Sequence, residues 1–120
     1  MVLKRRAGKA GEFRREHSNV LSVSLSPTSI HRLNQLAVEH GGAGRAIQIA
    51  VELLSVRKKP IRLHEERSDR LKEPFSFAAF PRTEVRIHLL AGRHYDGSPS
   101  NVIRACIQQL YELTQIDTTQ

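Results

Sequence analysis

The stretch from Ser18 to Arg57 reads SNVLSVSLSPTSIHRLNQLAVEHGGAGRAIQIAVELLSVR, and its apolar pattern predicts the order of the secondary-structure elements. Apolar and other residues alternate through positions 20–25, which predicts a strand. One face of this strand would carry Leu21, Val23 and Leu25. The opposite face would carry Val20, Ser22 and Ser24.

Two helices are predicted directly after this strand. Ser26 suits an N-cap and Pro27 suits the first helical position. The glycines at positions 41, 42 and 44 interrupt the helical pattern, a second apolar stripe follows, and Pro60 forbids its continuation. The stretch is therefore one strand followed by two helices.

The order of these elements resembles the ribbon-helix-helix family of DNA-binding proteins, which is built on a two-stranded antiparallel ribbon. The step Leu25-Ser26-Pro27 and the pattern Ala46-Ile47-x-x-Ala50-Val51 carry the resemblance. It covers about a third of the chain. A lone strand leaves its backbone groups unpaired, so the unit must pair with a second one, in another chain or further along this one.

Residues 81–117 partly repeat the pattern of one strand followed by two helices. Positions 83–89 alternate, with Val85, Ile87 and Leu89 on one face, and we expect them to form the second strand. Val102-Ile103-x-x-Cys106-Ile107 superposes on the second-helix pattern of the first unit. Because only 14 positions separate Leu89 from Ile103, against 22 from Leu25 to Ile47, this second copy would have a shortened first helix or would be no copy at all.

The predicted fold is thus α+β, with two ribbon-helix-helix units fused in one chain around a two-stranded antiparallel ribbon. We expect a basic flexible arm (1–18), a first unit (19–58), a basic and Phe-rich linker (59–80), a second unit (81–117) and a tail (118–120). Phe75, Phe77 and Phe80 are too apolar for a free linker, and we expect them to pack onto the core or to fill a groove of a partner.

Positive charge is concentrated outside the apolar elements. The net charge is +7, and residues 1–19 hold six basic against two acidic side chains. Such a balance favours an anionic partner such as nucleic acid, although it also serves solubility. A single cysteine excludes an internal disulfide, and no apolar run suits a membrane span or a signal-peptide core. We therefore expect a soluble cytoplasmic protein with no membrane partner.

The resemblance implies which residues would contact DNA. The outer face of the ribbon would read base edges in the major groove, and its residues would be Val20, Ser22, Ser24, Glu84, Arg86 and His88. Arg86 would make a bidentate contact to guanine. The starts of the second helices and the arm would bind phosphates, through Gly44, Arg45, Ser98, Ser100, Asn101, Lys4, Arg5 and Arg6. A solvated sheet face and plain helix caps remain alternatives.

Catalysis and metal binding have little support. The six histidines show no ligand spacing beside a carboxylate or cysteine, and Cys106 lies on an apolar stripe. The glycines at 41, 42 and 44 lack the Lys-Ser/Thr of a phosphate-binding loop. We expect neither an enzyme nor a cofactor.

The resulting hypothesis is sequence-directed binding of double-stranded DNA. The resemblance implies a transcriptional repressor or an accessory factor at a plasmid transfer origin (a relaxosome) or partition site, with a second copy on adjacent half-sites or a relaxase as a further partner. One alternative is an antitoxin-like or adaptor protein that docks a toxin-like partner through its Phe-rich segment. Another is non-specific packaging of nucleic acid by the basic segments.

Overall fold

The computed structural model describes residues 19–64 and 70–119 of the chain. Within these ranges the protein is α+β, with one two-stranded antiparallel sheet and four helices. In chain order the elements are β1 (Asn19–Leu25), α1 (Pro27–His40), α2 (Ala43–Ser55), β2 (Glu73–Ala79), α3 (Pro81–His94) and α4 (Pro99–Thr119). Strand, helix, helix therefore occurs twice, an order compatible with a ribbon-helix-helix arrangement.

The first half forms where its local signals predict it. Val23 and Leu25 of β1 are buried, while Ser22 and Ser24 are exposed. The N–H of Ser29 donates to the Ser26 hydroxyl at 3.1 Å, so Ser26 is the N-cap of α1. After α1, Gly41 adopts a left-handed φ of 81°, which a residue without a side chain reaches at no steric cost.

The predicted second strand is wrong: residues 83–89 lie in α3, and β2 is formed by the Phe-rich segment. Helix α3 buries Thr83, Ile87, Leu90 and Ala91, a set with helical spacing, and leaves Val85 and Leu89 exposed.

Ile87 belongs both to the alternating apolar residues of positions 83–89 and to the apolar stripe of a helix. The structure buries the residues of the helical stripe and leaves the other alternating residues exposed. Pro81 at the first helical position, after an extended Phe80, starts α3 in the way that Pro27 starts α1.

The shortened first helix is also wrong, since α1 and α3 each have 14 residues. Ala79 is the counterpart of Leu25, and Ile103 follows it by 24 positions, two more than from Leu25 to Ile47. The loop between α3 and α4 spans residues 95–98, whereas the loop between α1 and α2 spans only 41–42, which accounts for both extra positions.

The two strands pair within one chain around a central pair, Ser22 opposite Ser76. Leu21 pairs with Phe77 and Val23 with Phe75, so the inner face of the ribbon is apolar. Phe77 is buried and Phe75 is partly buried against the core, as expected of these side chains, whereas Phe80 is 40% exposed. Pro74 is tolerated because its place opposite Ser24 is a non-hydrogen-bonded one: the Ser24 N–H points away from β2, to Ser100.

Helix α4 closes the core, contacting α1, α2, α3 and β1. Its predicted apolar stripe is buried, namely Val102, Ile103, Cys106, Ile107 and Leu110. Residues 61–64, which follow α2, are attached to α4 and to Tyr95. Gln108 accepts a hydrogen bond from the His64 N–H and donates one to the Arg62 carbonyl, both at 2.9 Å, and Tyr95 Oη accepts from the Ile61 N–H at 2.9 Å.

Candidate nucleic-acid interface

The outer surface of the β1–β2 ribbon is continuous, exposed and uncharged. We call it the ribbon face; it consists of Val20, Ser22, Ser24, Pro74, Ser76 and Ala78, all of them exposed. Across the ribbon Val20 lies opposite Ala78, and Ser24 lies opposite Pro74. The three β1 residues predicted for this face are therefore brought together on it.

The other half of the ribbon face was missed from the sequence. Pro74, Ser76 and Ala78 alternate with Phe75, Phe77 and Ala79, which is a strand pattern. Proline at position 74 and the charged residues before it made the segment resemble a linker. The available signal was the repeat of an x-Pro step, Ser26-Pro27 in the first half and Phe80-Pro81 in the second.

Glu84, Arg86 and His88 do not lie on the ribbon face, because α3 carries them. Glu84 Oε1 accepts a hydrogen bond from Asn19 Nδ2 at 2.8 Å, and His88 Nε2 lies 3.8 Å from Glu84 Oε2. Arg86 Nη1 lies 3.3 Å from Glu52 Oε1 on α2. Arg86 therefore does not lie beside Ser22 on the ribbon, and the predicted contact of Arg86 with guanine from that surface is not supported.

The start of α4 is connected to the edge of β1. The Ser24 N–H donates to the Ser100 hydroxyl at 2.9 Å, and the Ser98 hydroxyl accepts from the Asn101 N–H at 3.1 Å. Arg104 donates to the Ser24 carbonyl at 2.6 Å and to Asn101 Oδ1. Arg104 was not predicted, since its partner Ser24 is 80 positions away and no local pattern reveals it.

The start of α2 is built differently. Its N-cap, Gly42, makes no side-chain hydrogen bond, and Arg45 is exposed. Gly44 lies against the ribbon backbone: a Cβ added there would stand 3.7 Å from the Ala78 carbonyl oxygen. A cleft of about 210 Å³ at this place is lined in part by Gly44, Arg45, Ala78 and Phe80.

The two helix starts flank opposite ends of the ribbon face. Ser24 lies beside the start of α4, and Ala78 lies beside the start of α2. Each of these two residues is the last but one of its strand. Val20 is paired with Ala78, and Pro74 with Ser24, so each end of the ribbon has one helix N-terminus next to it. The arrangement combines a narrow two-stranded surface with backbone N–H groups at both ends.

Other predicted features lie elsewhere or have no counterpart in the described residues. Lys4, Arg5 and Arg6 fall outside the described residues. Cys106 is buried, and this burial raises the pKa of its thiol. In residues 19–64 and 70–119, no group of three or more His, Cys, Asp or Glu could hold a metal ion. Nor does that part of the chain contain a helix with the length and hydropathy to cross a membrane.

Comparison of the chain with protein-family models, with curated proteins and with solved structures found no match.

Proposed function

We propose that this chain is a single-chain ribbon-helix-helix protein that binds double-stranded DNA, with the ribbon face in the major groove. One observation supports it above all: an exposed two-stranded ribbon with a helix N-terminus at each end. The major groove of B-DNA is about 12 Å wide and admits a two-stranded ribbon. The net charge of +7 adds attraction for the phosphate backbone.

The ends of the ribbon would hold the two flanking phosphates. At the start of α2, the free backbone N–H groups suit a phosphate and Arg45 supplies a positive charge, while Gly44 lies against the Ala78 carbonyl of the ribbon. At the start of α4, the Ser98 and Ser100 hydroxyls accept hydrogen bonds from within the chain. A hydroxyl that accepts still carries its own hydrogen, which a phosphate oxygen can accept.

The site read by such a ribbon would not be a palindrome. In a homodimer the two strands are identical, so the ribbon face repeats itself about a two-fold axis. Here Val20 and Ser24 of β1 correspond to Pro74 and Ala78 of β2, taken in chain order. Different side chains at equivalent places favour an asymmetric target, in which the two halves differ in sequence.

The proposed biological setting follows from the family resemblance alone. A ribbon-helix-helix protein of this kind would repress transcription, or act as an accessory factor at a plasmid transfer origin or partition site. The adaptor alternative is not favoured by the geometry, because Phe77 is buried in the chain's own core and Phe75 is partly buried beside it.

The test is enrichment of duplexes from a randomised pool in the presence of competitor DNA, followed by titration of the enriched duplex. Ser22→Asp places a carboxylate at the centre of the ribbon face and should weaken binding by about tenfold or more, because the placing of like charges against each other at an interface costs several kcal/mol. Asn34→Asp adds the same charge at an exposed position of α1 and is the matched control. Equal affinities of the two variants would exclude the ribbon face as the reading surface.

The basic arm has a separate expected role. Removing residues 1–15 deletes six basic side chains and one acidic one. Since phosphate contacts act on any sequence, affinity should fall equally for the enriched duplex and for competitor, and the slope of log K against log salt should become shallower. A loss confined to the enriched duplex would instead assign base reading to the arm.

A further inference from the structure

The ribbon face lacks every side chain that makes two hydrogen bonds to one base. Three of its six residues are serines, and the other three are apolar, Val20, Pro74 and Ala78. Guanine is usually read by Arg or Lys and adenine by Asn or Gln, each through a pair of hydrogen bonds. No Arg, Lys, Asn or Gln occupies the ribbon face between the bounds of β1 and β2.

Three long polar side chains outside the ribbon face, those of Asn19, Arg86 and Arg104, are engaged within the chain. Asn19 lies on the face of β1 opposite to the ribbon face, and its side chain donates a hydrogen bond to Glu84. Arg104 donates to the backbone of Ser24, and Arg86 pairs with Glu52. Arg45 is exposed at the start of α2, where the proposed function places it on a phosphate, so base discrimination is left to the residues of the ribbon face.

Serine and apolar side chains differ in what they can distinguish. A serine hydroxyl donates or accepts, so it tolerates several base edges. Val, Pro and Ala offer only apolar contact, and the apolar group displayed in the major groove is the C5-methyl of thymine. Discrimination along this surface then depends on whether a methyl group lies beneath each apolar side chain.

The apolar side chains are placed at the two ends of the ribbon face. Val20, which is 75% exposed, is directly opposite Ala78, and such cross-strand Cβ atoms stand about 5 Å apart. Pro74 lies at the other end, opposite Ser24. From Val20 to Ser24 the strand rises about 13 Å, which matches roughly four base steps.

We infer that the chain recognises its duplex through thymine methyl groups, one set beneath Val20 and Ala78 and another beneath Pro74, separated by bases contacted by Ser22 and Ser76. The target is an A·T-containing segment read in the major groove. This inference rests on the proposed function and specifies its substrate.

The experiment replaces the thymines of the enriched duplex, one at a time, with deoxyuridine. This change removes the C5-methyl and leaves every hydrogen-bonding group in place. At a contacted thymine the full-length protein should bind about fourfold more weakly, the factor that corresponds to burial of one methyl-sized apolar group. Measurement is by fluorescence anisotropy at constant salt.

A variant identifies the side chain that makes the contact. Val20→Ser should bind the thymine and deoxyuridine duplexes with about equal affinity when the replaced base lies beneath Val20. At the other contacted positions the variant should keep the preference for thymine. Val56→Ser is the matched control, because Val56 is 77% exposed, against 75% for Val20, and lies outside the ribbon face. It should retain the preference for thymine everywhere.

Different results would contradict DNA binding and the recognition of thymine methyl groups. If the pool yields an enriched duplex and deoxyuridine changes nothing, DNA binding stands and methyl recognition is wrong. If Val20→Ser and Val56→Ser show the same preference for thymine, the contact with Val20 is wrong. If no duplex is enriched over competitor, the proposed function falls and the inference falls with it.

Discussion

Ser24 and Ser100 are joined by a hydrogen bond of 2.9 Å across 76 positions of the chain, from the backbone N–H of one to the hydroxyl of the other. The bond connects the edge of β1 to the first turn of α4. It fixes the ribbon face relative to a helix N-terminus, which is the relationship that the proposed interface requires.

Ser100→Ala should remove this connection. A hydrogen bond contributes about 0.5–1.5 kcal/mol to stability, and the exposed setting of this one favours the lower half of that range, because water replaces the lost partner. Chemical denaturation measures the free energy of unfolding. Ser100→Thr keeps the hydroxyl and serves as control; if the threonine variant loses as much as the alanine variant, the hydrogen bond is not the cause.

Gln108→Ala should detach residues 61–64 from α4. Its side chain donates to the Arg62 carbonyl and accepts from the His64 N–H, so both backbone groups lose a partner in the variant. We expect faster tryptic cleavage after Arg62, located by mass spectrometry, and weaker protection of the His64 amide against hydrogen exchange.

Gln115→Ala is the control for Gln108→Ala, since Gln115 is exposed on the same helix. It should leave both measurements unchanged. Equal cleavage rates in the two variants would mean that Gln108 does not hold this segment in place.

Arg86→Ala should leave base preference unchanged, in contrast to what the sequence predicted. Its guanidinium pairs with Glu52, and both side chains are more than a third exposed. Solvent screening keeps such a pair at roughly 0–1 kcal/mol, so the free energy of unfolding should fall by no more than that. A relaxed base preference in the binding titration, with stability intact, would contradict this placement.

Cys106 gives a prediction for pH. Burial raises the pKa of its thiol above the ordinary value of about 8.5, so the folded state retains a proton that the unfolded state releases. The stabilisation is complete below the ordinary pKa and is lost progressively as the pH rises above it.

The measurement compares denaturation curves of the parent and of Cys106→Ala between pH 7 and pH 10, where the parent should lose more stability. The alanine variant will be less stable throughout because it leaves a cavity, so the comparison concerns slopes. Thiol labelling of the folded parent should also be slow and should accelerate with denaturant. Rapid labelling without unfolding would show that Cys106 is accessible.

Several elements form where local sequence rules predict them. The alternation in residues 20–25, the Ser26-Pro27 start of α1 and the glycine break before α2 all lie within a few residues of what they control. Helix α4 was also predictable, because its stripe repeats over several turns. The α+β class with a two-stranded ribbon and paired helices followed from these signals.

The choice of the segment that pairs with β1, and hence of the residues that share the ribbon face, depends on contacts between distant parts of the chain. Residues 83–89 satisfy a strand pattern and a helix pattern at once, and the choice depends on Thr83, Leu90 and Ala91 finding a core to pack against. Segment 73–79 became a strand because β1 supplies hydrogen bonds to its backbone and the core buries Phe77. Such partners lie some fifty positions away, so no local pattern of residues could reveal them.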